Sequence, residues 1–193
     1  MSIAIRHCNE LAVKLILDKQ PEKASVMSYD GYLHNDNSGW FPIHCAASYS
    51  NHEIVELILK AQPQAATMKD KLGNLPFHYA AIWNKDPEVF KILLKAHPGS
   101  ITEKDCRGDL PLYIAAKYNS NSEVVKLILD AHPGAAAEKD DNGMFPLHRA
   151  AENENPKVLK LILDAHPGAA AEKDDNGMLP LHYAIDWIRD PNI

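Results

Sequence analysis

The chain has 193 residues, of which 46% are hydrophobic and 24% charged, and its formal net charge is −6. This composition excludes a disordered chain, and the negative charge argues against a nucleic-acid partner, which needs a basic surface. The longest apolar stretches are far shorter than the roughly 20 residues that span a bilayer, so we expect no contact with a membrane.

We expect no secretion signal in the first residues. The segment "MSIAIRHCNELAVKLILDKQ" has charges scattered through it and lacks both the apolar run and the small-residue cleavage site of a signal peptide. The three cysteines, Cys8, Cys45 and Cys106, are odd in number and not closely paired, which is typical of a reducing compartment. We therefore expect a cytoplasmic protein, with the nucleus as the alternative.

The first predicted element is a helix over Leu11–Leu17, within the segment "LAVKLILDK". Leu15 and its counterpart in the next unit, Leu57, are 42 residues apart, whereas the following pair is 35 apart. The additional residues lie in "SVMSYDGYLHNDNSG". We interpret residues 1–35 as an N-terminal partial or capping unit with an enlarged turn.

A phrase of the form Gly-x-[Phe/Leu]-Pro-x-[His/Tyr]-x-Ala then occurs five times, at intervals of 34 or 35 residues. An aspartate stands three residues before each glycine, and Asp-x-x-Gly is typical of a turn. Proline suits the first position of a helix, where its missing N–H is not needed. Helix A of each unit is therefore predicted to begin at a proline: Pro42, Pro76, Pro111, Pro146 and Pro180.

A second block follows each of the first four phrases, as in "EVVKLILDA" from Glu123. Its apolar residues recur at i, i+3 and i+4, which predicts an amphipathic helix B. The helix should end at "AHPG", because the residue before a proline avoids the helical conformation. Since one short helix pair cannot bury its own apolar face, the units are expected to stack.

The Asp-x-x-Gly turn, the Pro-Leu-His-x-Ala-Ala phrase and the apolar helix B together resemble the ankyrin repeat. The resemblance covers nearly the whole chain. It implies an all-α solenoid of stacked helix-turn-helix units joined by long turns, forming one domain over residues 1–193. Full repeats are expected at 36–69, 70–104, 105–139 and 140–173, here called repeats 1 to 4. Residues 174–193 form a truncated last repeat without helix B, which leaves apolar surface open.

One departure from the family concerns the residue before each proline. Ankyrin repeats usually have a threonine there that caps helix A, whereas this chain has an apolar residue: Phe41, Leu75, Leu110, Phe145 or Leu179. The loss of a cap costs about 1 kcal/mol, and apolar burial of about 1.5–3 kcal/mol per side chain offsets it. We therefore predict that these residues are buried between units, and that the motif histidine bonds to the backbone alone.

The ten histidines do not predict a catalytic, metal or cofactor site. Equivalent residues of stacked units lie about 8–10 Å apart, whereas zinc needs each nitrogen at about 2.0–2.1 Å. Cys45 and His44 are adjacent on a helix and point about 100° apart, so they do not form a nucleophile–base pair. We predict that the protein is not an enzyme and holds no cofactor.

The resemblance implies that a partner binds to a concave groove, which is lined by the turn tips and the exposed face of helix A. One slot of helix A is aromatic in four units and is interrupted at Asn153. The alternative for these aromatic residues is to fill space beside the longer A–B turns. The predicted groove residues are Trp40, Tyr49, Tyr79, Ile82, Trp83, Ile114, Lys117, Tyr118, Met144, Arg149, Glu152, Asn153, Met178, Tyr183 and Trp187.

The sequence therefore favours a non-catalytic scaffold that binds a protein or peptide. The alternative is an assembly role, in which the open C-terminal end stacks on a longer array or on a second copy. We expect a monomer unless that end stacks.

Overall fold

The computed structural model describes residues 10–26, 39–105 and 107–189, and side chains as far as residue 186. These residues form ten α-helices and five short 3-10 helices, and no strand. The predicted all-α fold is thus confirmed. None of the helices in the described ranges is long and apolar enough to cross a membrane. Cys8, Cys106, most of the enlarged N-terminal turn and the side chain of Trp187 lie outside the described part.

Every helix A begins at its predicted proline. The five helices A are Pro42–Tyr49, Pro76–Trp83, Pro111–Tyr118, Pro146–Ala150 and Pro180–Arg189. In the last four of these units, the turn before helix A is set by the aspartate and glycine that precede it. In repeat 2, Oδ1 of Asp70 accepts the N–H groups of Leu72 and Asn74, and Gly73 has a φ of 87°, which glycine adopts without strain.

The helices B are Glu10–Lys19, His52–Ala61, Pro87–Ala96, Ser122–Ala131 and Pro156–Ala165. Those of the four full repeats begin after a residue whose side-chain oxygen accepts a backbone N–H of the first turn. These caps are Asn51, Asp86, Asn121 and Asn155. Such caps satisfy N–H groups that have no partner within the helix. The helices B of the four full repeats end at the alanine before an "HP" or "QP" dipeptide, as predicted for "AHPG", and the first helix B ends at Lys19, directly before a "QP" dipeptide.

The segment after helix B is more ordered than the connecting turn that the sequence indicated. It forms a 3-10 helix at Pro21–Ser25, Pro63–Thr67, Pro98–Ile101, Pro133–Ala137 and Pro167–Ala171. In repeat 3, the N–H of Ala135 donates to the carbonyl of His132 at 3.1 Å. Ala135 and Ala136 are buried, so the small side chains of this segment seal one edge of the core.

The helices form two layers, because helices A pack on neighbouring helices A and helices B on neighbouring helices B. The alanine pair of helix A, such as Ala80 and Ala81, is fully buried and lets the A layer pack closely. Helices B meet through larger residues, such as Ile58 and Leu93. Closer packing in the A layer favours curvature toward helix A, the side on which the resemblance places the groove.

The apolar residues before the prolines are mainly buried, as predicted. Leu75, Leu110 and Phe145 are at most 7% exposed, while Phe41 and Leu179 are half-buried. Phe145 makes contacts in its own repeat and in the preceding one. Its ring centroid lies 5.3 Å from that of His166 and 4.9 Å from Nζ of Lys139.

Each motif histidine forms a hydrogen bond at the start of its helix A, where the threonine cap of the family is missing. Nδ1 of His44 accepts the N–H of Phe41 at 3.1 Å, so the neutral ring carries its proton on Nε2. That nitrogen donates to the carbonyl of Asn74 in repeat 2, at 3.1 Å. His78 and His148 repeat both bonds. The prediction that these rings bond to backbone alone is confirmed. His44 and His148 each also link two units, whereas His78 bonds to Glu103 near the end of its own repeat.

An asparagine in the A–B turn forms a second link between units. In repeat 2, Nδ2 of Asn84 donates to the carbonyls of Ala47 and Ser50 in repeat 1, both at 2.9 Å. Asn119 donates in the same way to Ala81 and Asn84 of repeat 2, at 3.2 and 2.8 Å. We call this series, which Asn153 continues, the asparagine ladder. It satisfies carbonyl groups that the ends of helices A leave without an intrahelical partner.

Candidate binding surface

The exposed aromatic residues of the A layer lie in neighbouring repeats. Trp83 ends helix A of repeat 2 and is 51% exposed, and Tyr118 ends helix A of repeat 3 and is 49% exposed. The half-buried Tyr49 occupies the same slot in repeat 1, with its ring centroid 6.4 Å from that of Trp83. These exposures do not fit the alternative in which the aromatic residues fill space beside the turns, since filling would bury Trp83 and Tyr118.

Trp83 and Tyr118 line a groove with a volume of about 310 Å³. We call it the aromatic groove. Its other lining residues come from helix A and from the A–B turns: Ile82, Lys85, Lys117, Ser120, Glu152, Asn153 and Glu154. Lys85, Ser120 and Glu154 were not among the predicted groove residues. The extended A–B turn could have indicated them, because it carries side chains past the end of helix A.

Two of the four charged residues that line the aromatic groove, Lys117 and Glu152, pair with each other. Nζ of Lys117 lies 2.6 Å from Oε2 of Glu152 and 5.5 Å from the ring centroid of Tyr118. The first contact joins repeats 3 and 4, and both side chains are mainly buried. The groove therefore presents apolar and aromatic surface beside a neutral ion pair, with the exposed Lys85 and Glu154 also in its lining.

Four of the predicted groove residues lie in the core. Trp40, Tyr79, Ile114 and Met144 are each at most 8% exposed. The ring centroids of Trp40 and Tyr79 are 4.3 Å apart, so these two residues join repeats 1 and 2. Because buried side chains cannot meet a partner without rearrangement, we leave these four out of the surface.

The slot directly after the motif histidine has a structural use that the sequence did not reveal. Oδ2 of Asp70 accepts the hydroxyl of Tyr79 at 2.6 Å, and Oδ2 of Asp174 accepts that of Tyr183 at the same distance. In repeat 4, Arg149 donates to Oδ2 of Asp140 at 3.0 Å. Arg149 and Tyr183 occupy the same position in two near-identical phrases, and each donates a hydrogen bond to the aspartate of its own turn.

Asn153 interrupts the aromatic slot because one residue is absent from repeat 4, not because the aromatic residue is replaced. Helix A of repeat 4 ends at Ala150. Nδ2 of Asn153 donates to the carbonyls of Ala116 and Asn119, at 2.9 and 3.1 Å. Asn153 therefore corresponds to Asn119 in the asparagine ladder. The 34-residue interval was the signal, since the two preceding intervals are 35.

Of the remaining predicted residues, some line the aromatic groove and others lie away from it. Met178 and Tyr183 are half-buried in the last repeat, and Met178 also accepts the bond from the motif histidine of repeat 4. Ile82, Lys117 and Glu152 lie in the groove, as stated above. The side chain of Trp187 lies outside the described residues.

A second, smaller cavity lies between repeats 3 and 4, with a volume of about 120 Å³. We call it the Asp109 pocket. It shares Lys117 and Tyr118 with the aromatic groove, so the two cavities are adjacent. Its lining consists of Arg107, Asp109, Tyr113, Ile114, Lys117, Tyr118, Asn142 and Arg149.

The described side chains show no cluster suited to metal chemistry, since no three His, Cys, Asp or Glu residues among them lie where they could share an ion. Both ring nitrogens of His44 and His78 are engaged by backbone groups. Burial lowers the pKa of His44 to about 4 and also lowers that of His78. These rings are therefore neutral structural groups at pH 7.

Comparison with protein families gave one match. The family model described as "Ankyrin repeats (3 copies)" matches residues 1–105, 77–171 and 112–193, which together cover the whole chain. A comparison with curated proteins gave no match.

Proposed function

The chain belongs to the ankyrin-repeat family, whose members generally act as protein–protein interaction modules, and we propose that it is a non-catalytic scaffold that binds a protein or peptide in the aromatic groove. The family is typically non-catalytic. Binding in the cytoplasm or nucleus, the reducing compartments that its cysteines favour, is part of the proposal.

One observation carries this proposal: two large aromatic side chains stay about half exposed at one slot of adjacent repeats. Trp and Tyr are enriched among the residues that dominate binding energy at protein interfaces. The residues around them are already used by the fold, in the asparagine ladder, the histidine links and the turn aspartates. Trp83, Tyr118 and the half-buried Ile82 are left as apolar surface that the fold itself does not need.

The test is to replace Trp83 and Tyr118 singly with alanine and to measure both partner binding and the melting temperature. We expect each change to weaken binding by roughly tenfold or more, which corresponds to a loss above about 1.4 kcal/mol, with little change in melting temperature. Leu163→Ala is the matched control, because Leu163 is an exposed apolar residue on helix B. The proposal is contradicted if partner binding survives both groove changes. It is also contradicted if each loss of binding is accompanied by a clear fall in the melting temperature.

A second candidate is assembly through the last repeat. On its helix A, Leu181 is 65% exposed and Ile185 is 46% exposed, whereas Leu147 and Ala151, their counterparts in repeat 4, are buried. Exposed apolar surface of this kind often marks an interaction site. Light scattering over a range of concentrations separates the two candidates, because an independent scaffold keeps the mass of a monomer.

A further inference from the structure

The Asp109 pocket departs from the repeat pattern at several positions at once. Position 109 is an aspartate, where the other described repeats have Trp40, Asn74, Met144 or Met178. Tyr113 replaces the motif histidine, and its hydroxyl donates to the carbonyl of Glu138, the counterpart of Glu103 to which His78 bonds in repeat 2. Ile114 replaces the donor that Tyr79 or Arg149 supplies to the turn aspartate. These changes leave the fold intact and alter the lining of one cavity.

The cations around the pocket are closely paired with other carboxylates. Arg149 lies 3.0 Å from Oδ2 of Asp140, and Lys117 lies 2.6 Å from Oε2 of Glu152. Arg149 is 4.0 Å from Oδ1 of Asp109, which is the outer limit of an ion pair. Arg107, also in the lining, is exposed to solvent, where its charge is screened by water and salt.

Asp109 is therefore the least neutralised of the mainly buried charges that line the pocket. Its side chain is only 16% exposed, and carboxylates of two turn aspartates lie near it. Burial raises the pKa of Asp109, and Asp105 and Asp140 act in the same direction, against the opposing charges of Arg149 and Arg107. A second positive charge would stabilise this carboxylate.

We propose that the Asp109 pocket takes the lysine or arginine side chain of a basic partner segment whose apolar residues occupy the adjoining aromatic groove. This rests on the proposed function. The volume suits the end of one side chain and is too small for a drug-sized ligand, whose pockets measure about 300–1,000 Å³. The ring of Tyr118 offers apolar surface to the aliphatic part of the side chain. The net charge of −6 favours a basic partner as well.

The first test uses the whole chain and a defined probe. N-acetyl-lysine methylamide and the arginine analogue are titrated at millimolar concentrations while amide NMR signals are followed. The signals of Asp109 and Asn142 should shift, and they should not shift with the neutral glutamine analogue or in Asp109→Asn. That variant should fold normally, because repeat 2 has an asparagine at this position. Equal shifts with the glutamine analogue, or none with either cation, overturn the inference.

The second test selects binders from a displayed library of random peptides. Peptides that carry a required lysine or arginine should lose roughly tenfold or more in affinity with Asp109→Asn, and none with Asp164→Asn, an equal change of charge at an exposed position on helix B. Peptides that depend on Trp83 but not on Asp109, or that require an acidic residue, overturn the inference and leave the proposed function standing. If no peptide depends on Trp83 or Tyr118, the proposed function fails, and the first test alone decides the inference.

Discussion

Replacing Asn119 with alanine removes one step of the asparagine ladder and tests whether the ladder couples the repeats. The Asn119 side chain is 1% exposed. It donates to two carbonyls of repeat 2, and its Oδ1 accepts the N–H of Asn121 at 3.0 Å. Each such bond contributes about 1 kcal/mol net, so we expect a loss of about 3 kcal/mol. For a chain of this size, that lowers the melting temperature by about 6–12 °C.

The effect should also appear in the shape of the unfolding curve. Repeat proteins are stabilised by interfaces between nearest neighbours, and Asn119 lies at the interface of repeats 2 and 3. A weaker interface allows the two halves to unfold separately, so urea titrations should broaden. Circular dichroism and urea denaturation measure both effects.

Ser120→Ala is the control, because Ser120 is the next residue of the same turn and its hydroxyl makes none of the ladder bonds. We expect that change to stay within about 0.5 kcal/mol of the parent chain. Should Asn119→Ala melt at the same temperature as Ser120→Ala, the bonds seen across this interface make no net contribution, and the reasoning is refuted.

Two further predictions concern stability. Gly143→Ala should destabilise the chain more than Gly73→Ala in thermal melts: both positions have positive φ, but only at Gly143 would the new Cβ meet a carboxylate oxygen, that of Asp175, at 2.3 Å. Equal losses would show that the close approach is relieved by side-chain movement. Stability should also fall as the pH is lowered from 6.5 to about 4. Burial lowers the pKa of His44 from 6.5 to about 4, so the unfolded state takes up the proton first. The resulting loss in the free energy of unfolding is about 3 kcal/mol at the lower pH. The urea midpoint should lose part of this pH dependence in His44→Tyr, and an unchanged slope would contradict the assignment.

Much of the fold followed from the sequence because its signals are local and repeated. The proline at the start of each helix A fixes a backbone angle and needs no N–H donor, whatever surrounds it. The spacing of Val124, Leu127 and Ile128 defines one apolar face of a helix in the same way. The 3-10 helices were missed because a proline and a few alanines do not distinguish such a helix from an irregular turn.

The candidate surface was only partly predictable, because exposure depends on contacts between units. Tyr79 and Trp83 are both aromatic residues on one helix A, four positions apart. The first is buried against Asp70 and Trp40, and the second is half exposed. Only the packing of repeat 1 on repeat 2 separates them. Asn153 lines the groove as predicted, but its bonds to repeat 3, which the sequence did not reveal, also make it part of the ladder.

The sequence by itself determined the repeat, the helix starts and the need for units to stack, since these depend on backbone angles and on periodicity along one chain. Tertiary structure decided which of the varying residues meet solvent. That choice depends on how closely two helices A approach and which carbonyls they leave for a neighbouring side chain to bond. Whether a polar or aromatic residue links two repeats or stays exposed to solvent therefore depends on distances between neighbouring repeats, which the sequence of one repeat does not specify.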